Sequence, residues 1–190
     1  VAAVRSTYDK TAETARPSFG RRVFGFFNGL CKVYLTVVRG TPVVVQVMIF
    51  FYVIFATAKD GTMVAALAFG INSGAYVAEI IRGGIMSIDN GQFEAGRSLG
   101  FNYLQTMRYI IVPQTIKNVL PSLMNEFIAL LKETSVAGYV AVQDLTKAGD
   151  IIRSRTYSAF MPLIAVALIY LIVVMFFTWL VGKLERRLRA

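Results

Sequence analysis

The chain contains no histidine and a single cysteine, Cys31, among its 190 residues. Without histidine it lacks the side chain most often used to bind metals or to exchange protons near neutral pH. One cysteine cannot form a disulfide within the chain, so redox and zinc chemistry are not expected. Only 16% of the residues are charged, whereas 56% are hydrophobic. These proportions differ from those of soluble domains and predict a membrane protein.

A loop for binding nucleotide phosphates is also absent. No segment matches Gly-x-x-x-x-Gly-Lys-Ser/Thr, so we expect no cofactor in this chain, and any nucleotide chemistry must come from another one. The net charge of +9 does not indicate nucleic acid, because Lys and Arg flank long apolar runs instead of clustering on a soluble module. We therefore expect membrane lipids, and no nucleic acid, among the partners.

Four apolar runs predict transmembrane helices, which need about 17 to 25 residues each to cross a bilayer. Thr41 and Pro42 predict the start of the first, with threonine as N-cap and proline at the first helical position. The third run is short and contains Pro121. The predicted spans are 41–58, 63–81, 116–131 and 160–181.

The distribution of basic residues predicts the orientation of these spans. Placing both ends and the loop at 82–117 in the cytoplasm leaves few of the 20 Lys and Arg residues outside. The basic tail at 183–189 directly follows the last span and supports the same orientation. Both ends are therefore expected in the cytoplasm, and the basic residues left outside are Lys59, Lys132, Lys147, Arg153 and Arg155.

Between the second and third spans, the sequence predicts a helix, a break and a second helix. Asp89 and Gln92 have the spacing of a capping box, and Asn102 begins a second such pattern with Gln105. Gly100 is placed to end the first helix in a left-handed conformation. Such short helices cannot bury all their apolar side chains, so the hairpin is expected to bind a partner through Phe93, Leu99, Phe101, Leu104 and Met107.

This loop resembles the cytoplasmic EAA loop of ABC importer permeases. The run EAGRSLG at 94–100 is followed after nine residues by IIVP at 110–113, which keeps the spacing of Glu-Ala-Ala, three residues, Gly, nine residues, Ile-x-Leu-Pro. Gly96 replaces an alanine of that pattern, and Val112 replaces its leucine. Four further runs are similar to the polar amino-acid uptake branch of these permeases: RGTPVVVQ at 39–46, GAYVAEIIRGGI at 74–85, GQFEA at 91–95 and KETS at 132–135.

The resemblance implies an all-α membrane protein with the type I, MetI-like permease fold. Such a subunit moves amino acids across the cell (inner) membrane and is not itself an enzyme. It implies three kinds of protein partner: ABC ATP-binding subunits, which hold the ATP and Mg, a second permease subunit, identical or different, and an extracytoplasmic solute-binding protein. Residues 1–40 are expected to be a cytoplasmic lead-in to a permease domain at 41–190. Since these permeases normally have five spans, we expect one more span upstream of Val1.

The resemblance also places the contact with the ATP-binding subunit. In these permeases a short helix of the EAA loop lies in a groove of that subunit and transmits its closure to the spans. The coupling loop covers about 86–113 in this chain. The residues expected to make the contact are Glu94, Ala95, Gly96, Leu99, Gly100 and Phe101.

Polar residues in and near the spans predict a substrate path, because polar groups at this depth are costly in lipid. Asn72, Tyr76 and Glu79 share one face of the second span and could bind both the ammonium and the carboxylate of an amino acid. Glu79 could instead form a simple ion pair with Arg82 at i+3. The further candidates for this path are Glu126, Thr134 and Ser135.

Other interpretations remain open at this point. The chain could be a proton-coupled secondary transporter that uses Glu79 or Glu126, or a membrane scaffold without transport. A small-residue stripe in the second span could serve packing within the subunit or pairing between subunits, and the segment at 138–160 could face the solute-binding protein or merely connect two spans. Neither rival function requires the EAA-like loop, so the importer is favoured. The stripe consists of Ala66, Gly70, Gly74 and Ala78.

Overall fold

The computed structural model describes residues 19–140 and 142–189, and every regular element in that part of the chain is helical. Single π-helical turns extend α2 through Phe50–Ile54 and join α5 to α6 through Met107–Ile111. A 3-10 segment, Thr134–Val140, follows α6. The helices are α1 (Phe19–Gly40), α2 (Val43–Ile49), α3 (Gly61–Met86), α4 (Asn90–Ser98), α5 (Tyr103–Thr106), α6 (Val112–Glu133), α7 (Leu145–Thr156) and α8 (Phe160–Arg189).

Two of the described helices, α3 and α8, are long and apolar enough to cross a membrane. They contain the predicted spans at 63–81 and 160–181. The predicted span at 116–131 lies in α6, a helix of 22 residues with Pro121 inside it. This helix is not among those that meet the length and composition requirement.

The prediction of a continuous first span at 41–58 is wrong. Helix α1, which the sequence patterns did not predict, runs to Gly40, and the next helical stretch covers only Val43–Ile54, about 18 Å at 1.5 Å per residue. Gly25–Gly40 and Val43–Ile54 meet at an angle of 106°, and a third span exists if they form one broken crossing. The part of the predicted lead-in at 1–18 lies outside the described residues.

A proline is responsible for the break between these two helices. Pro42 has no backbone N–H to donate, and its ring forces the preceding residue out of the helical conformation. Pro42 itself is the N-cap of α2, with an extended ψ of 135°. The predicted N-cap, Thr41, is therefore one residue too early. The Thr41 hydroxyl instead accepts a hydrogen bond from Gln46 Nε2 at 2.7 Å.

The described chain divides into two compact units, and the first comprises residues 19–40 and 75–123. Its apolar cluster forms where α1 packs against the C-terminal half of α3 through Leu35, Ala75 and Ala78. Further along α3, a Cβ atom added to Gly84 would overlap the Val119 side chain of α6. Close approach of helices through small residues is typical of membrane bundles, where dispersion contacts stabilise packing more than water exclusion does.

The second unit comprises residues 41–74, 124–140 and 142–189. A Cβ atom added to Gly61 at the start of α3 would lie 2.5 Å from the carbonyl oxygen of Val140. Gly149 of α7 similarly faces Val166 of α8, so these two helices pack closely. The buried cluster of this unit consists of Val47, Ala65, Ala68, Phe69, Ala137 and Val140.

Candidate functional site: the coupling hairpin and the polar residues of the spans

The segment 87–111 forms the predicted hairpin, and local caps hold its helices. Asp89 is the N-cap of α4, and its carboxylate accepts a hydrogen bond from the Gly91 amide at 2.6 Å. At α5, Asn102 Oδ1 accepts from the Gln105 amide, and Gln105 Oε1 accepts from the Asn102 amide, both at 2.9 Å. The capping box predicted at Asn102 is therefore present.

The capping box predicted between Asp89 and Gln92 is not formed, because Asp89 caps the helix through the Gly91 amide and the Gln92 amide donates to the Asp89 carbonyl. The partner residue Gln92 directs its Oε1 away from the Asp89 backbone and accepts a hydrogen bond from Gln114 Nε2 at 3.2 Å. Gln114 Nε2 also donates to the Ile110 carbonyl at 2.9 Å. This side-chain pair ties α4 to the start of α6, a contact that sequence spacing alone does not reveal.

The break between α4 and α5 has the left-handed conformation that the sequence predicts. Gly100 has φ of +77°, which is accessible to glycine at little cost. The Gly100 amide donates to the Arg97 carbonyl at 2.9 Å, and the Phe101 amide donates to the Gly96 carbonyl at 3.0 Å. These bonds satisfy carbonyl groups that the end of α4 would otherwise leave unpaired.

Gly96 is the buried member of the predicted contact set. A Cβ atom at this position would lie 2.7 Å from both Cγ2 and Oγ1 of Thr106. Thr106 is only 2% exposed, and its hydroxyl donates to the Asn102 carbonyl at 3.0 Å. Gly96 therefore lets α4 lie directly against α5, and its contact is within the hairpin.

The outer surface of the hairpin is both charged and apolar. Glu94 and Ala95 are exposed on α4. Leu99 is 70% exposed and Leu104 is 76% exposed, although both are large apolar side chains. Phe101 is half-buried, with its ring centre 6.1 Å from that of Tyr109. We call the exposed patch of Glu94, Ala95, Leu99 and Leu104 the hairpin tip.

Asn72 of α3 belongs to a hydrogen-bonded network in the second unit. It is 2% exposed, and its Nδ2 donates to Gln46 Oε1 at 3.0 Å. Gln46 Nε2 in turn donates to the Thr41 carbonyl at 3.0 Å, in addition to the Thr41 hydroxyl. The network holds α2 against the N-terminal half of α3. A role for Gln46 was not predicted, because its hydrogen-bond partner Asn72 is 26 residues away in the sequence.

Tyr76 and Glu79 belong to the first unit, and each contacts a cation. The guanidinium carbon of Arg39 lies 5.3 Å from the centre of the Tyr76 ring. Glu79 Oε1 accepts from Nε of Arg82 at 2.8 Å and from Nη2 at 2.5 Å, so the ion pair considered for Glu79 is present. A concavity of about 500 Å³ is lined by Lys32, Leu35, Thr36, Arg39, Gly40 and Tyr76.

The remaining path candidates lie in the second unit. Glu126 Oε1 accepts a hydrogen bond from Ser73 Oγ at 3.3 Å. Thr134 is exposed, and its hydroxyl donates to the Leu131 carbonyl at 2.8 Å, whereas Ser135 is half-buried. Of the small-residue stripe, Ala66, Gly70 and Gly74 are exposed, and Ala78 is buried.

The segment after α6 contains a short polar helix, α7. The Asp144 carboxylate accepts from the Lys147 amide at 2.7 Å and caps its start. Arg153 donates hydrogen bonds to Asp150, and this pairing holds the pKa of the Asp150 carboxyl below its ordinary value. The helix ends at Tyr157, which has φ of +54° and a side chain that is 96% exposed.

Comparison with known proteins identifies the family. Residues 17–190 match the family described as binding-protein-dependent transport system inner membrane component. The chain is 37% identical over 181 residues to a putative glutamine transport system permease protein GlnP of Rickettsia bellii, with 87% of this chain and 83% of that protein covered. It is also 37% identical over 174 residues to the glutamine transport system permease protein GlnP of Escherichia coli K12, with 88% and 80% covered.

Solved structures show the same fold. A crystal structure of an amino acid ABC transporter with histidines is 44% identical to this chain and superposes with a TM-score of 0.80, covering 84% of this chain and 76% of the other. An inward-facing structure of the MetNI methionine ABC transporter is 15% identical and has a TM-score of 0.75 over 99% of this chain and 86% of the other. At that identity the second match concerns the fold alone.

These findings confirm the predicted all-α importer permease fold and the predicted family, and they do not support the proton-coupled alternative. Permeases of this family are transport subunits, and separate subunits hydrolyse the ATP. The chain therefore belongs to the family of binding-protein-dependent transport system inner membrane components, and it is a membrane permease subunit of an ATP-binding-cassette importer.

Proposed function

We propose that this subunit forms part of the path for amino acids in an importer whose ATP-binding subunit docks on the hairpin tip. The observation that carries the docking proposal is the exposure of two large leucines, Leu99 and Leu104, on a hairpin whose own backbone groups are capped. An exposed apolar patch with a polar surround is typical of a protein contact. The amino-acid substrate is supported by relatives named as glutamine permeases at 37% identity over most of both chains.

The hairpin has the rigidity that a coupling element requires. Its two short helices are capped by Asp89 and Asn102, and they contact each other through Gly96 and Thr106. The Gln92 to Gln114 hydrogen bond adds a tie to α6. A force applied by the ATP-binding subunit at the tip would therefore move the hairpin as one body.

The partners follow from the same assignment. ATP and Mg are bound by the ATP-binding subunit, a second permease subunit completes the path, and an extracytoplasmic solute-binding protein supplies the amino acid to the face that includes α7. Both ends of the chain lie in the cytoplasm, which is supported by the basic residues that follow the apolar part of α8.

Tyr76 and Glu79 of the first unit are our candidates for contact with the amino acid, and Asn72 of the second unit is a separate candidate. Glu79 is held by Arg82, and its carboxylate is the acidic group that we propose for the ammonium of a substrate. The concavity beside Tyr76 contains Lys32 and Arg39, which can donate to a carboxylate. Together these groups match the two charges of a zwitterion.

We expect Glu79→Gln and Asn72→Ala to lower amino-acid uptake by about tenfold or more, because a hydrogen bond to a charged group contributes about 1.5 to 3 kcal/mol. Uptake of labelled glutamine, neutral, acidic and basic amino acids into proteoliposomes containing the full complex measures the effect. Co-purification of the ATP-binding subunit should be unchanged.

The control for Glu79 is the double variant Glu79→Gln with Arg82→Gln, which removes both charges of the pair. If Glu79 contacts the substrate, the double variant transports as poorly as Glu79→Gln. Normal transport by the double variant would show that the single variant fails only because it leaves the Arg82 charge without its carboxylate.

A further inference from the structure

The C-terminal end of α8 combines an exposed aromatic ring, basic side chains and an apolar groove on one helix face. The most apolar stretch of this helix has no buried residue, so most of its surface is exposed in the described part of the chain. A concavity of about 490 Å³ runs along it, from Val174 and Met175 to Lys183 and Arg186. One end of the groove is therefore apolar and the other is cationic.

Trp179 marks the boundary between these two ends. Its side chain is 61% exposed, and the ammonium of Lys183, one turn further on, lies 5.4 Å from the centre of its ring. Tryptophan is enriched where a membrane helix leaves the hydrocarbon, and Lys and Arg just beyond it meet the headgroups. The order of apolar, aromatic and basic groups along the groove matches the change from acyl chain to phosphate along a phospholipid.

Gly182 shapes the groove between the tryptophan and the basic residues. A Cβ atom at Gly182 would have no heavy atom within 4 Å, so the space above this residue is open. Lys183 also lines a second concavity, of about 400 Å³. The other residues that line this second concavity are Met124, Leu180, Leu184 and Arg187. Neither concavity is lined by an acidic residue.

We propose that this groove binds an anionic phospholipid, with an acyl chain along Met175 and Trp179 and the phosphodiester between Lys183 and Arg186. An anionic lipid fits this groove because its negatively charged phosphate matches the cationic end of the groove. Its acyl chain matches the apolar end. A zwitterionic lipid such as phosphatidylcholine fits less well, because its choline would lie beside the two cations.

Trp179 is the single tryptophan of the sequence, which provides a direct probe. The full-length permease, assembled with its ATP-binding subunits, is placed in nanodiscs containing small fractions of phosphatidylglycerol or phosphatidylcholine brominated near the glycerol end of the acyl chains. Bromine quenches tryptophan on contact, and subtracting the emission of the Trp179→Phe complex isolates the signal of Trp179. We expect brominated phosphatidylglycerol to quench Trp179 at a several-fold lower mole fraction than brominated phosphatidylcholine.

The variants test whether this groove is the site. Lys183→Gln and Arg186→Gln should each reduce the preference for phosphatidylglycerol by about fivefold, the effect of about 1 kcal/mol per basic residue near an anionic surface. Gly182→Leu should reduce it without changing the charge. Lys117→Gln, which removes one exposed cation from a different helix, is the matched control and should leave the preference intact.

Three results would overturn the proposal. Equal quenching by both lipids would show that the groove does not select anionic lipid. An equal loss in Lys117→Gln would show that the preference reflects the charge of the whole surface. Absence of quenching by either lipid would show that another protein chain covers this face of α8.

Discussion

Leu99→Glu should reduce substrate-stimulated ATP hydrolysis of the assembled importer at least about thirtyfold. Leu99 is an exposed apolar residue at the hairpin tip, and buried apolar anchors at protein interfaces contribute about 2 kcal/mol or more. A carboxylate at this position would have to be desolvated against the ATP-binding subunit. The measurement is ATPase activity in proteoliposomes, with and without loaded solute-binding protein, together with co-purification of the ATP-binding subunit.

Two matched controls separate the loss of apolar contact from a general effect of charge. Leu99→Met keeps a flexible apolar side chain and should remain active. Ser98→Glu adds the same charge at the adjacent exposed residue and should have a much smaller effect. Glu94→Lys reverses the charge on the same surface and should weaken assembly less than Leu99→Glu. Normal subunit binding and normal stimulation in Leu99→Glu would refute docking at this tip.

Gly96→Val should disrupt the hairpin itself and uncouple ATP hydrolysis from transport. The added Cβ would lie 2.7 Å from the buried Thr106 side chain, and overpacking of this kind typically costs about 1 to 3 kcal/mol. Gly83→Val is the control, because a Cβ at Gly83 of α3 meets no heavy atom within 4 Å. We expect transport per ATP hydrolysed to fall at least tenfold in the first variant and to change little in the second.

A pair of compensating substitutions can show that the contact between residue 96 and Thr106 causes the loss of coupling. Gly96→Ala should impair coupling, and adding Thr106→Ala should restore part of it, since removing Cγ2 and Oγ1 makes room for the new methyl group. The coupling free energy of the cycle, from the thermal stability and activity of the four proteins, should be about 0.5 to 3 kcal/mol. Additive effects of the two substitutions would contradict the contact.

Local signals account for most of what the sequence predicted correctly in the hairpin. The capping box at Asn102 and the left-handed Gly100 involve residues close in sequence, whose contacts form within about one helical turn. The spacing of these residues in the sequence is therefore enough to predict both features. Gly96 is different, because its partner Thr106 comes into contact only after the chain reverses at Gly100, and a single sequence does not show that pairing.

The hydrogen bond between α2 and α3 was harder to predict, because it too depends on residues that are distant in the sequence. Pro42 correctly indicated a helix start, but the side-chain bonds from Gln46 to Thr41 and from Asn72 to Gln46 depend on the folded positions of α2 and α3. Helix α1 was missed because polar and charged side chains interrupt its apolar positions, so it has no continuous apolar run like that of α8. The ion pair between Glu79 and Arg82 was anticipated, since i and i+3 positions are always neighbours on a helix.

The second helix of the hairpin is also the beginning of a much longer helical rod. Residues 103–120 continue without interruption through α5, the π-helical turn and the first part of α6, a length of about 27 Å at 1.5 Å per residue. The next residue, Pro121, lacks the amide that would bond to the Lys117 carbonyl, so the helix bends more easily there and the stiff segment ends. On a lever of this length, a tilt of about 5° at the Asn102 end displaces the Pro121 end by roughly 2 Å. If an ATP-binding subunit docks on the hairpin tip as proposed, a small rotation of that subunit would therefore be converted, by leverage alone, into a larger displacement at the Pro121 end.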